Sequence, residues 1–381
     1  MAARLRLRAA PGLLALAVWL GGPGCGPAFK LPTEHRENRD LVGNGTYEMV
    51  YTWDHMGGVR DLLLVPGPQL FVAFQGNPGR VFEFSTTGPY PLAVDRFAGL
   101  LNPAALASGG NRLFVLDQGD TAAARATRDY AGDSLDCGPL SGFRRPIVDL
   151  SKYWYVREYD LKGRTLYSSF SDTTFAWVNG IAADAGGRVY VSGVVYGCSV
   201  DRFDPRLKTL VFEFRIRRYL RGGGGFVVGG WHKDRDFEIT EGTGIGSAGD
   251  PRGMHWSDIT GSALFFADVK NSDVQKLDEL GSLSNSYKLV ACDRDTTDLV
   301  TPLDVNVDQA GFVYVVDSGN RRVMRYDPAG DCVQRVDIEP DRHQQRLVAP
   351  VAVAADVIDD RDFVYVADAG AGEIVVYRRR K

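Results

Sequence analysis

In the second half of this chain, apolar residues fall in short runs separated by turns of Asp, Gly, Ser and Asn. The pattern is clearest over residues 302–327, PLDVNVDQAGFVYVVDSGNRRVMRYD. Val305 and Val307 alternate with polar residues, which predicts a half-buried strand. The stretch 312–316 is nearly continuously apolar, the pattern of a strand covered on both faces. Val323 and Tyr326 carry a third strand. The turns between them, 308–311 and 317–320, hold residues that accept left-handed backbone angles and cap turns. Three short antiparallel strands in a row predict a β-meander, the unit of a propeller blade.

The unit recurs. Copies open at Val59, Pro103, Val178, Pro251, Pro302 and Pro350. Their second strands share one pattern of aliphatic, aromatic and apolar residues. It reads Leu70-Phe71-Val72, Leu113-Phe114-Val115, Val189-Tyr190-Val191, Leu264-Phe265-Phe266, Val313-Tyr314-Val315 and Val364-Tyr365-Val366. Six copies predict an all-β, six-bladed β-propeller over 46–381. Fourth strands are expected at 92–97, 165–170, 209–214, 287–292 and 332–338, and a third strand of the third copy at 199–204. The last copy has no fourth strand of its own, so TYEMVYTW at 46–53 is expected to complete it and close the ring. Asp117, Asp268, Asp317 and Asp368 recur at the end of the second strand, where a short carboxylate accepts turn N–H groups.

Two stretches depart from the repeat. Residues 118–154 lie between the second and third strands of the second copy, and 217–250 are expected between the third and fourth copies. Strand order carries both to one face, and repeat proteins gather insertions on the face that binds. That face holds the candidate anchors Tyr130, Tyr153, Trp154, Tyr196 and Trp231, with His232, Arg144, Arg145 and Arg218 among them. Aromatic and arginine side chains are enriched among binding anchors. The alternative is that these aromatics bury the long loops.

The copies at Pro302 and Pro350 resemble NHL repeats, through the opening Pro, the VYV-type strand and the segment Asp317-Ser318-Gly319-Asn320-Arg321-Arg322-Val323. The last copy keeps Asp368 and Gly370 but has Ala371-Gly372-Glu373 where the Asn and Arg would fall. The resemblance implies the six-bladed ring that the count of copies predicts. It also raises cation chemistry. Gluconolactonase-like propellers hold a divalent cation on axial Glu, Asn and Asp, and Asp61, Asn179 and Asp304 stand at comparable inner-strand starts. His255 on an inner strand is a further candidate ligand. The axial histidine set of the peptide-amidation lyase, a similar propeller, has no counterpart here. Inner-strand polar residues that simply bind channel water are the plainer alternative.

The first residues change the picture of where the protein works. Arg4, Arg6 and Arg8 precede the apolar run 13–20 and then small residues, the order of a secretory signal over 1–25. Cys25 is a candidate lipid-anchor site, followed by a polar linker over 26–45. The expected location is outside the cytoplasm: secreted, periplasmic or lipid-anchored. No transmembrane span is expected beyond this signal. The net charge of −4 is mixed along the chain, and no basic face for nucleic acid emerges. Of the five cysteines, Cys137 and Cys198 are expected on one face and are the pair that an oxidising compartment would bridge. Cys292 and Cys332 are expected on opposite faces and apart; four buried thiols is the alternative. The run Gly222 to Gly225 lacks the Lys and Ser/Thr of a phosphate loop, and there is no Ser nucleophile elbow. The expectation is therefore a monomeric, non-catalytic scaffold for a protein, peptide or glycan. The alternative is a propeller hydrolase or lyase with a divalent cation in the central channel.

Overall fold

The computed structural model describes residues 47–380, except for 87–92, 119–153, 201–207, 223–229, 282–286, 290–297, 338–346 and a few isolated positions. The described strands form six antiparallel sheets, the blades of a β-propeller. From the axis outward, the first blade is Val59–Val65, Gln69–Phe74, Arg80–Ser85 and Ala93–Asp95. The second is Pro103–Gly109, Arg112–Asp117, Tyr155–Asp160 and Leu166–Phe170. The third is Phe175–Ala183, Val189–Val200, Lys208–Arg221 and Trp231–Glu241, with Ser247–Ala248 added in parallel at its edge. The fourth is Pro251–Ser257, Ala263–Asp268, Asp273–Asp278 and Tyr287–Leu289. The fifth is Pro302–Val307, Val313–Asp317, Arg322–Tyr326 and Cys332–Arg335. The sixth is Pro350–Ile358, Arg361–Asp368, Glu373–Arg379 and, from the other end of the chain, Tyr47–Trp53.

That last pairing closes the ring. Tyr47–Trp53 runs antiparallel to Glu373–Arg379, as the missing fourth strand predicts. Tyr47, Met49 and Trp53 are buried. Trp53 stacks on Phe84 of the first blade with ring centroids 5.6 Å apart, and the Tyr47 hydroxyl lies 3.1 Å from that of Tyr314 in the fifth. The strand thus covers an open sheet edge and touches both neighbouring blades.

The core lies between blades. The middle of each second strand is apolar because both of its faces pack on a neighbouring sheet. The recurring aspartates are buried at its end and cap the chain that enters their own blade. Asp117 accepts from Leu101 N at 3.0 Å and Asn102 N at 2.7 Å. Asp268 accepts from Gly249 N, Asp317 from Val300 N, and Asp368 from Val348 N and Ala349 N. One carboxylate therefore ties the turn after the second strand to the approach to the first strand.

The third blade departs from expectation. Its second and third strands are 12 and 14 residues long. The expected fourth strand, 209–214, is the start of the third strand, and 199–204 begins inside the second. Residues 217–250 are accordingly not an insertion between blades. They form the end of the third strand, a hairpin connection and the fourth strand. The ends of that connection, Gly222 and Gly230, lie where the third strand finishes and the fourth begins, at the end of the blades opposite to Gln118 and Trp154. The reason is register: the long hairpin keeps alternating where a regular blade has already turned, and a period-two pattern does not say where a strand stops.

Among the described residues, no helix is long and apolar enough to cross a membrane. Cys332 is disulfide-bonded, with its partner outside the described residues. The sequence pattern assigned no bond to Cys332, which opens an outer strand at the partly exposed blade edge. Cys137 lies outside the described residues, as does the side chain of Cys198, and Cys25 with the signal and linker segments lies outside them too.

Candidate functional site

Each inner strand starts with the same irregularity. Register shifts fall between Val59 and Asp61, Pro103 and Ala105, Val178 and Gly180, Pro251 and Met254, Pro302 and Asp304, and Pro350 and Ala352. A β-bulge re-aims the extra residue and bends its strand. The skipped residues are Arg60, Ala104, Asn179, Arg252 with Gly253, Leu303 and Val351. All of them line one cavity of about 510 Å³ at this end of the axis. Gln75, Gln118 and Trp154 add walls from the second-to-third connections, and Trp177 adds one from the start of the third blade's inner strand.

Beneath the bulge ring, polar side chains stitch blade to blade. Asp61 accepts from Leu62 N at 2.8 Å and from Leu106 N of the second blade at 2.6 Å. Asp304 accepts from Val353 N of the sixth blade at 2.8 Å. Two residues further along the axis, Asn306 accepts from Ala355 N and its amide meets His255 Nδ1 at 3.3 Å. Glycine makes room for this stitching. A Cβ at Gly253 would stand 2.1 Å from Asp304 Oδ1, and one at Gly180 would stand 1.9 Å from the Arg252 carbonyl oxygen.

The electrostatics follow from depth. Asp61 and His255 keep some surface open to the channel yet lie deep among protein atoms. Burial pushes Asp61 up to about 7, against its two backbone hydrogen bonds. Burial, and then the charge of Asp61, raises Asp304 well above the usual carboxylate range. Burial lowers His255 to about 4, so its imidazole is neutral. Arg60 has no partner among the described residues, and burial lowers its pKa. Arg252 pairs through Nη2 with Asp250 at 2.8 Å and through Nη1 with Asn179 Oδ1 at 3.3 Å. Its Nε is buried without a partner, as is the indole N–H of Trp154.

The predicted cation ligands Asp61, Asn179 and Asp304 do share this cavity. They do not fit a divalent cation, which needs convergent free oxygens. Both Asp61 oxygens already take backbone N–H groups, and the Asn179 oxygen faces a guanidinium. His255 is not among the cavity-lining residues and meets Asn306 instead. Among the described residues, no group of three His, Cys, Asp or Glu side chains is placed to hold a metal.

The predicted binding set separates. Trp154 lines the cavity but is buried, edge-on to Phe175 at 5.6 Å. Trp231 is a core residue, stacked on Phe170 at 4.8 Å and donating to Ser168 Oγ at 3.1 Å. It stands with His232 and Arg218 at the opposite end of the third blade, and Arg218 is locked to Asp234 at 2.6 Å. Trp231 is therefore no surface anchor; the mistaken strand boundaries put it on the wrong face. Tyr130, Arg144, Arg145 and Tyr153 lie outside the described residues, as does the side chain of Tyr196.

Sequence reasoning missed Arg60, Arg252 and Trp177. Arg60 and Arg252 each follow the residue that opens a copy, so aligning copies on that position would have exposed the bulge ring. The face around the cavity also carries exposed aliphatics at one repeat position, two residues before the opening Pro. Leu101 is 45% exposed, Val300 43% and Val348 50%. Beside the mouth, Trp177 stacks on Phe212 of the long third-blade hairpin at 6.1 Å.

No family model matches the chain, and no curated protein matches it. Among solved structures, it is similar to a streptogramin B lyase, with a TM-score of 0.49 and 9% identity over 88% of this chain and 98% of that one. It is also similar to the WD40 propeller domain of Doa1, with a TM-score of 0.48 and 10% identity over the same shares.

Proposed function

We propose that this protein is an exported binding scaffold of the NHL-repeat type, and that it receives its ligand on the face around the axial cavity. The carrying observation is the concentration of features on that face. The ends of the second-blade insertion, Gln118 and Trp154, wall the cavity. The long hairpin of the neighbouring third blade stands beside its mouth, and Leu101, Val300 and Val348 expose apolar surface around it. The signal-like order of residues 1–25 supports export, and the disulfide at Cys332 suits an oxidising compartment.

A photo-crosslinking amino acid at Val300 or Val348 tests this, with Leu280 as control. Leu280 is 71% exposed and follows a third strand, so it belongs to the opposite face. In the protein's own compartment, the first two positions should capture the same polypeptide and Leu280 should not. Capture from Leu280 alone would reverse the assignment. The mass of the mature N-terminus checks export and reports a lipid on Cys25 if one is attached.

A second reading, a hydrolase or lyase acting in the cavity, draws on Asp61. A carboxyl held near neutral pH can serve as an acid or base. On that reading, Asp61→Asn would abolish turnover while leaving crosslinking intact.

A further inference from the structure

We propose that the axial cavity is an anion site: it takes an organic anion whose charged group is held by Arg60 and Arg252 and whose apolar body lies along Leu303 and Val351. This rests on the reading that the cavity's face is the binding face, and it names the chemistry of what enters.

The bulge ring is the first support. Inner strands neighbour one another in order around the axis, and the sixth neighbours the first. Arg60, in the first blade, and Arg252, in the fourth, therefore stand on opposite walls. Leu303 and Val351, in the fifth and sixth, fill one arc between them, and Ala104 and Asn179 fill the other. A ligand crossing the mouth meets a guanidinium on either side and aliphatic carbon between. The cavity's size suits a small organic molecule.

The unpaired donors are the second, independent support. Trp154 is 3% exposed, and its indole N–H has no acceptor. The Arg252 Nε–H is also buried without one, and Arg60 lacks any partner among the described residues. Buried donors without acceptors are uncommon in native proteins and mark places where an acceptor from outside belongs. The surrounding carboxyls do not oppose an anion. Asp250 is already paired with Arg252. Burial favours the neutral form of Asp61 and Asp304, each of which is also occupied by backbone N–H groups. The same arrangement is hostile to a cation. Guanidinium rather than ammonium groups also suit a carboxylate or phosphate, which they bind in a forked geometry.

The test uses the full mature protein and calorimetric titration with matched pairs of small acids and their amides. Phenylbutyrate with phenylbutyramide is one pair; hexanoate with hexanamide is another, and phenyl phosphate and inorganic phosphate complete the set. At least one organic anion should bind, with its amide at least about 10-fold weaker. Arg60→Gln and Arg252→Gln should each weaken the anion roughly 10- to 100-fold, the range for a lost charge-assisted hydrogen bond. Arg60→Gln should leave thermal unfolding unchanged, and Arg252→Gln, which gives up the pair with Asp250, should lower it only slightly; either way the fold is checked. An amide that binds as tightly as its acid, or affinity unchanged in both arginine variants, would sink the anion assignment while leaving the cavity as a binding site. Inorganic phosphate binding as tightly as the organic anions would remove the role of Leu303 and Val351. Stoichiometric calcium or magnesium binding that Asp304→Asn abolishes would overturn the proposal in favour of a cation. If no member of the panel binds at about 10 mM, roughly tenfold above the weak millimolar range, the anion site falls, while capture from Val300 or Val348 still decides the binding face separately.

Discussion

The fifth and third blades occupy equivalent places in the ring, yet they are built to different lengths. The strands of the fifth run four to six residues. Its second strand ends at Asp317, whose carboxylate accepts from Val300 N at 2.7 Å and pairs with Arg322 at 2.7 Å. The turn follows at once, and Arg321 in it takes a left-handed conformation with φ 54°. The third blade has no aspartate at the matching position. After Ser192 its second strand continues through Gly193, Val194 and Val195 to Val200. The next turn signal in the chain is Asp204-Pro205. A buried acceptor at the strand's end gives the turn N–H groups a partner other than the ladder, and the strand stops. In the third blade the ladder carries on to Val200, paired with Lys208; the first blade's second strand ends at Phe74 without an aspartate, so the cap is one way to stop a strand and not the only one.

The heaviest blow to this comparison falls on the third blade's far end. Trp231→Ala should destabilise the protein by about 3–5 kcal/mol in denaturant unfolding, because a fully buried indole packed on the second blade leaves a large void. A change under about 1 kcal/mol would return Trp231 to the surface. Asp317→Asn should cost about 2 kcal/mol, since the neutral amide keeps one acceptor but loses the charge facing the buried Arg322. If Asp317 sets strand length, amide hydrogen exchange at Ser318 and Gly319 should quicken in that variant.

The channel between the blades gives a pH test. His255 is lowered to about 4 by burial, so its contribution to stability is lost as pH falls from about 6.5 toward 4. Asp61 is raised to about 7, so its contribution is lost as pH rises from about 4 toward 7, and Asp304 acts in the same sense. The slopes oppose each other over nearly one window. His255→Gln should therefore leave a protein that loses stability more steeply toward neutral pH, and Asp61→Asn one in which that loss is flattened, because Asp304 and His255 then oppose each other. Each group accounts for about 1.4 kcal/mol per pH unit within its window. Urea midpoints between pH 4 and 7.5 measure it, and identical profiles in the two variants would contradict the burial argument. The smallest effect belongs to the exposed side of the third blade. Lys233→Ala removes a half-exposed pair with Glu238 at 3.0 Å and should shift stability by about 0.5 kcal/mol or less.

Much of the fold was legible in the sequence because each blade repeats one pattern. The six second-strand triads, the closing strand and the capping role of Asp117, Asp268, Asp317 and Asp368 all depend on residues within one copy or on a count of copies. The third blade was misread because its strands obey the same alternation for longer, and alternation alone does not mark an end. That single misreading moved Arg218, Trp231 and His232 to the wrong face. The cavity was half legible: Asp61, Asn179 and Asp304 were found as inner-strand polar residues, but their neighbours were not.

By itself the sequence determined the middle of each second strand, how many blades there are and that the segment 47–53 shares a sheet with the last copy. These follow from local periodicity and from the need to cover an open edge. Only the tertiary structure decided what faces what. The bulges at Arg60, Asn179, Arg252 and Leu303 bring four distant copies around one opening. Whether Asp61 meets a cation or a backbone N–H of the next blade depends on ångström-scale approach between strands some 45 residues apart. Burial then sets the charge state of Asp61 and His255. No local pattern encodes that, because desolvation is a property of everything packed around a group.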